Sequence, residues 1–127
     1  MLFRSITDIA RAYQRRNEML AAIGSVFDQV DFVLTPTTAT TAFAAAGPPP
    51  MEIAEQRVGG MGNVPYTAPF NMSGQPGVSI PAGRSSEGLP IGLQVVGRRH
   101  DDLGVLACGL VAEQAMPWPK FAPMADG

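Results

Sequence analysis

Residues 77–97 read Gly77-Val78-Ser79-Ile80-Pro81-Ala82-Gly83-Arg84-Ser85-Ser86-Glu87-Gly88-Leu89-Pro90-Ile91-Gly92-Leu93-Gln94-Val95-Val96-Gly97. Two short runs, 77–81 and 91–97, carry most of the β-branched residues, and turn formers fill 82–90 between them. That pattern predicts a β-hairpin. Just downstream, Leu103, Leu106, Ala107, Leu110, Val111 and Gln114 recur at i, i+3 and i+4, which predicts a helix over about 102–114. Asp101 or Asp102 stands where its carboxylate caps the first turn. Gly104 and Gly109 each cost a helix about 1 kcal/mol against Ala, a cost that makes sense where the helix lies close to a sheet. Pro117-Trp118-Pro119 stops this helix, and 117–127 is expected to be a loose tail.

Upstream of the hairpin the chain opens with a predicted helix over about 5–29. Ser5 with Asp8 resembles a capping box. Ile6, Ile9, Tyr13, Leu20, Ile23, Phe27 and Val30 form one apolar stripe, while Arg4, Arg11, Arg15, Arg16 and Glu18 fall mostly off it and read as a solvated face. Asp31-Phe32-Val33-Leu34-Thr35-Pro36 is a short unbroken apolar run, expected to be a strand buried on both faces and ended by Pro36. Residues 37–62 form a long loop rich in Ala, Thr and Pro, with two helical turns expected over 51–58. A loop of that length in a compact domain is usually functional or wraps another element. Gly59-Gly60-Met61-Gly62-Asn63 lacks the preceding strand, the glycine spacing and the following Lys-Ser/Thr of a phosphate loop. Pro65 suits the first position of a short helix running through Met72, and Ser73-Gly74-Gln75-Pro76 reads as a turn. The order is helix, strand, loop, helix, hairpin, helix: an α/β fold whose mixed β-sheet, including the hairpin, is flanked by helices.

With 127 residues the chain fits one domain, or part of one, spanning 1–127. It is 46% apolar and 16% charged, which excludes disorder over most of its length. A net charge of −2 gives no electrostatic case for nucleic acid or for an anionic membrane. The single cysteine excludes an internal disulfide framework and a cysteine-based zinc site. No apolar run reaches the roughly 20 residues of a membrane helix, and no signal-peptide core precedes the first helix. A cytoplasmic location is the expectation.

Three stretches, in order, resemble the amidase signature family: Asp31-Phe32-Val33-Leu34-Thr35-Pro36-Thr37; Tyr66-Thr67-Ala68-Pro69-Phe70-Asn71-Met72-Ser73-Gly74-Gln75-Pro76-Gly77; and Gly88-Leu89-Pro90-Ile91-Gly92-Leu93-Gln94-Val95-Val96-Gly97. The resemblance is to the C-terminal portion of that family and is most like its bacterial amidases, with the family's amidotransferase members as the alternative. It implies an α/β/α sandwich and hydrolysis of carboxylic amides without a cofactor or metal. It also implies a nucleophilic serine, a second serine and a lysine as the proton relay, all upstream of the region matched here. A C-terminal fragment of such a hydrolase, inactive alone, is therefore the expected function. The alternative is a non-catalytic assembly module that keeps the same scaffold.

No residue here is expected to be catalytic. Lys120 is the only lysine and sits in the Pro-flanked tail. Ser85-Ser86 falls where turn chemistry explains it, and Ser79 lies in a strand motif. His100 precedes the last helix, and Cys108 lies within that helix with no basic neighbour to activate its thiol. His100 is read as a surface residue and Cys108 as a small core residue. What the resemblance implies instead is a pocket wall: Thr37 and Thr38 after the strand, and Met61, Val64 and Ala68 around the start of the next helix. The last three share a face if that stretch is helical. A small-molecule amide would meet this wall only in a full-length enzyme. Because the fragment has too few helices to cover its sheet, it is expected either to form a homo-oligomer or to lack an N-terminal portion.

Overall fold

The computed structural model describes residues 5–119. In chain order its elements are α1 (Ile6–Val26), β1 (Phe32–Pro36), β2 (Glu52–Ile53), β3 (Gln56–Arg57), α2 (Ala68–Ser73), β4 (Gly77–Arg84), β5 (Pro90–Gly97) and α3 (Asp102–Ala115). The expected hairpin is β4–β5. Its arms are longer than the β-branched runs alone suggest, and the turn shrinks to 85–89. β5 is the middle strand of an antiparallel sheet ordered β1-β5-β4, with Leu34 opposite Val95 on one side and Val78 opposite Val95 on the other. Pro81 lies on β4, and the β4–β5 register slips between Pro81 and Arg84. The fold class matches expectation: helices flank a sheet that contains the hairpin.

Period-two alternation sorts the strand residues by face. The α3 face is fixed by two contacts: a Cβ on Gly97 would meet Val105, and one on Gly109 would meet Val78. Val78, Ile80, Leu93, Val95 and Gly97, with Phe32 and Leu34 of β1, therefore point toward the α3 layer. Ser79, Gln94, Val96, Val33 and Thr35 point to the opposite side, where Gln94 reaches the segment leading into α2. Among the described residues the buried apolar ones are Phe27, at the end of α1, and Ile80, Val95, Val96 and Val105, on β4, β5 and α3.

Helix ends follow their local chemistry. The Ser5 hydroxyl accepts from the Asp8 N–H at 3.3 Å and donates to the Asp8 carboxylate at 3.1 Å, so the reciprocal cap forms with Asp in place of Glu. α1 stops at Val26, not at Gln29, because 27–29 tighten into i→i−3 bonds (Phe27 to Gly24, Asp28 to Ser25, Gln29 to Val26). α2 begins at Ala68, not at Pro65. Pro69 takes the first turn, where no N–H is needed, and left-handed Gly74 closes the C-terminus on the Phe70 carbonyl. Asp101 caps α3 by accepting from the Gly104 N–H at 3.0 Å.

Two expectations are corrected. Residues 51–58 form the β2–β3 ribbon, not helical turns. Ala54 and Glu55 both take positive φ, as a two-residue hairpin turn requires, and Val58 N–H closes the ribbon on the Met51 carbonyl. β1 is not buried on both faces. It is an edge strand, and Leu34 is 59% exposed, since α3 packs mainly on β4 and β5. The Leu103, Leu106, Leu110, Val111 stripe of α3 points to solvent, while Val105 faces the sheet with half-buried Gly104, Cys108, Gly109 and Ala112. Between Leu103 and Ala112 this helix is apolar on every side, so spacing alone does not say which side meets the sheet, and the small residues win because they allow the closest approach. Residues 120–127, including Lys120 and most of the expected tail, lie outside the described residues, as does Arg4. Trp118 is half-buried in the cleft between α3 and β4.

Candidate functional site

The end of β1 delivers Thr37 to the sheet. The Thr37 N–H bonds the Gly92 carbonyl at 2.9 Å, which extends the β1–β5 ladder by one pair. Its side chain then lies over Gly92, on the face opposite α3. From the far side of β5, Ser79 of β4 reaches the same point, and the two hydroxyl oxygens are 2.6 Å apart. Gly92 is required there, since a Cβ would sit 2.7 Å from the Thr37 Oγ1 and 2.8 Å from the Ser79 Oγ. Around this hydroxyl pair opens a recess of about 360 Å³, lined also by Thr38, Ile80, Pro81, Pro90 and Ile91.

Among the described residues no charged side chain lines the recess. One hydrogen bond joins the two hydroxyls, and among the described residues neither has a histidine or carboxylate partner. Without a base neither becomes a nucleophile. The surface suits an uncharged ligand that accepts or donates a few hydrogen bonds against apolar walls.

Two residues further along β5, the buried Gln94 amide joins three elements. Its Nε2 donates to the Thr35 hydroxyl of β1 and to the Tyr66 carbonyl ahead of α2, both at 3.0 Å. A second tie runs alongside, from the Ala39 N–H to the Asn63 carbonyl at 3.0 Å. The segment after β1 and the segment before α2 are thus held together by backbone and amide bonds.

Of the five pocket candidates, Thr37 and Thr38 line the recess. Met61, Val64 and Ala68 lie outside its lining, on the segment tied to it through Asn63 and Tyr66. That segment is a series of turns up to Thr67, so helical spacing does not align the three. Met61 is 75% exposed on a turn, while Val64 and Ala68 are half-buried. Sequence reading missed Gln94 and Gly92, and took Ser79 as purely structural. The available signal was Gly92 itself, a glycine inside an otherwise β-branched strand, which marks a close approach of other atoms.

The remaining candidates are placed by their own bonds. The Ser85 hydroxyl accepts from the N–H groups of Glu87 (3.3 Å) and Leu89 (3.2 Å), so it builds the hairpin turn. His100 is exposed, with φ +68, between the last strand and the α3 cap. Cys108 is half-buried and free. Among the described residues no three His, Cys, Asp or Glu side chains gather as a metal site, and no helix is long and apolar enough to cross a membrane.

The family profile described as Amidase matches residues 4–106. A glutamyl-tRNA(Gln) amidotransferase subunit from Parvibaculum lavamentivorans is 38% identical over 115 residues, which are 91% of this chain and 22% of that protein. The crystal structure of a bacterial aryl acylamidase of the amidase signature enzymes superposes with a TM-score of 0.80 at 32% identity, covering 91% of this chain and 24% of that one. The corresponding glutamyl-tRNA(Gln) amidotransferase subunit from Thermotoga maritima superposes with a TM-score of 0.71 at 31% identity, over 88% of this chain and 23% of that one. The chain therefore spans about a quarter of the length of the relatives it matches.

Proposed function

The chain belongs to the amidase signature family, and from that premise we propose that it forms the C-terminal portion of a hydrolase of carboxylic amides. The observation that carries this reading is the uncharged, hydroxyl-rimmed recess over Gly92 within the family's own fold. A neutral amide needs such a wall: apolar contact, a few hydroxyl partners and no buried charge. On this reading the serine nucleophile, the second serine and the lysine belong to the part of the fold that precedes the matched segment. This portion contributes Thr37 and Thr38 directly. Met61, Val64 and Ala68 stand on the adjoining segment, held in place by Gln94. The reaction consumes water and needs no cofactor or metal, in the cytoplasm.

A second reading, a non-catalytic assembly module on the same scaffold, is favoured by one observation: among the described residues neither hydroxyl of the recess has a base. The chain in isolation is then a homo-oligomer or a piece awaiting its N-terminal portion.

Two measurements test the proposal. The purified chain should not hydrolyse aliphatic amides or anilides above background, because general-base activation and oxyanion stabilisation each contribute orders of magnitude in rate. Turnover that persists through repurification and vanishes with Ser85→Ala or His100→Ala would show catalysis within the chain. The second uses a fused protein in which this chain replaces the matched segment of the Parvibaculum lavamentivorans protein. Its amide hydrolysis should return, and Gly92→Ala, which pushes Thr37 and Ser79 apart, should raise KM several-fold with a smaller change in kcat. An unchanged KM would remove the recess from the substrate's path and favour the assembly module.

A further inference from the structure

The recess over Gly92 is poor in hydrogen-bond donors. Pro81 and Pro90 on its walls carry no N–H. The Thr37 N–H is engaged by the Gly92 carbonyl at 2.9 Å, and the Thr38 hydroxyl donates to the Thr40 carbonyl at 2.8 Å. The side-chain donors that remain are the hydroxyls of Thr37 and Ser79. Either oxygen can donate in the 2.6 Å bond between them, but that bond uses only one of their two protons. The second proton has no acceptor among the described residues. It belongs to whichever hydroxyl accepts the internal bond, and that bond polarises it into a better donor. The pair therefore offers the recess one proton, and either oxygen can carry it.

Counter-charge is missing from the same walls. Arg84 is the charged residue of the three strands, and it stands opposite Pro90 in the ladder. Its guanidinium is turned away into the hairpin turn, where it donates to the Gly88 carbonyl at 2.7 Å. A carboxylate or an ammonium entering the recess would give up part of its water and meet no opposite charge. At about 360 Å³ the recess is at the small end of ligand sites, with room for one ring and a small substituent.

We propose that Thr37 and Ser79 act as one shared hydrogen-bond donor, and that the recess takes a neutral apolar group of the amide bearing a single hydrogen-bond acceptor. This deepens the reading of the recess as a substrate wall and rests on it. The hydroxyl pair then sets specificity: it favours neutral amides over those of amino acids or dicarboxylic acids, whose extra charges find no partner there.

The fused protein tests this with acetyl, isopropyl and carboxylate groups, which have nearly the same shape, placed at the para position of benzamide and of acetanilide. One series puts its ring in the recess. In that series the carboxylate should raise KM by roughly tenfold or more over the acetyl group. The double variant Thr37→Val/Ser79→Ala should shift the acetyl-to-isopropyl KM ratio by roughly tenfold toward isopropyl. Each single variant leaves one hydroxyl proton to donate and should shift that ratio by less than about threefold. A bond that only holds the strands together gives a different pattern, because either single change already breaks it. A single variant that shifts the ratio as far as the double overturns the shared donor, as does a double variant without a shift in either series. A carboxylate that binds as well as acetyl overturns the selectivity for neutral groups. A fused protein that hydrolyses none of these amides overturns the reading beneath the proposal. The shared donor is then decided by the same ratio in binding to the chain itself, followed through the Gly92 amide resonance.

Discussion

Gln94 carries more of the site's geometry than any residue singled out by motif. Its amide is 7% exposed and its two hydrogen bonds tie β1 to the approach of α2. Gln94→Leu leaves the Tyr66 carbonyl without its partner and should cost about 1–3 kcal/mol in denaturant unfolding of the fused protein. Gln94→Glu should add a pH dependence. The buried carboxyl faces a carbonyl, so its folded-state pKa rises above the unfolded value. Stability is then fully present below the unfolded pKa and is lost as pH rises through the folded one. Flat stability of this variant between pH 4 and 8 would show that water reaches the site. The turn serines behave differently: Ser85→Ala removes the acceptor of two N–H bonds and should cost up to about 1 kcal/mol, whereas Ser86→Ala should stay within about 0.5 kcal/mol. Ser85 was legible because turn chemistry is local. Gln94 was not, since its partners Thr35 and Tyr66 are 59 and 28 residues away.

Elements were legible where the pattern was local and ambiguous where a face had to be chosen. The stripe of α1 is continuous, yet only its middle stretch is covered: Phe27 is buried and Leu20 and Ile23 are half-buried, whereas Ile6 at one end is 78% exposed and Val30 at the other 40%. Periodicity predicts a stripe but not what lies beneath it. The β2–β3 ribbon was missed because Ala54-Glu55 carries helix-forming residues where hairpin turns usually carry Asn-Gly. In α3, Gly97 beneath Val105 decides the seating, with a Cβ on Gly97 reaching 2.5 Å from the Val105 Cγ2. Gly97→Ala should therefore destabilise by about 1–3 kcal/mol. Combined with Val105→Ala it should cost clearly less than the sum of the two single changes. Strict additivity in urea unfolding would mean that α3 adjusts freely over β5.

At the scale of the molecule, the five buried apolar side chains among the described residues make a small core. The isolated chain should accordingly self-associate at micromolar concentration. A monodisperse 13.4 kDa species with one cooperative unfolding transition, seen by light scattering and calorimetry, would mean that it closes its own core. The fold class was legible at this scale because the hairpin and last helix are contiguous. The open side was not, since the unbroken run 32–34 reads as central in any sheet and only the partner strands reveal it as an edge. The two margins of that sheet differ. β1 presents the N–H groups of Phe32 and Leu34 on an edge without a register slip, whereas β4 carries Pro81, which has no N–H, within its length and a register slip beyond it. A sheet with one adhesive margin and one blunted margin joins once and then stops. Stored alone at high concentration, the chain should yield discrete pairs and no fibres, because each pairing leaves only blunted margins on the outside.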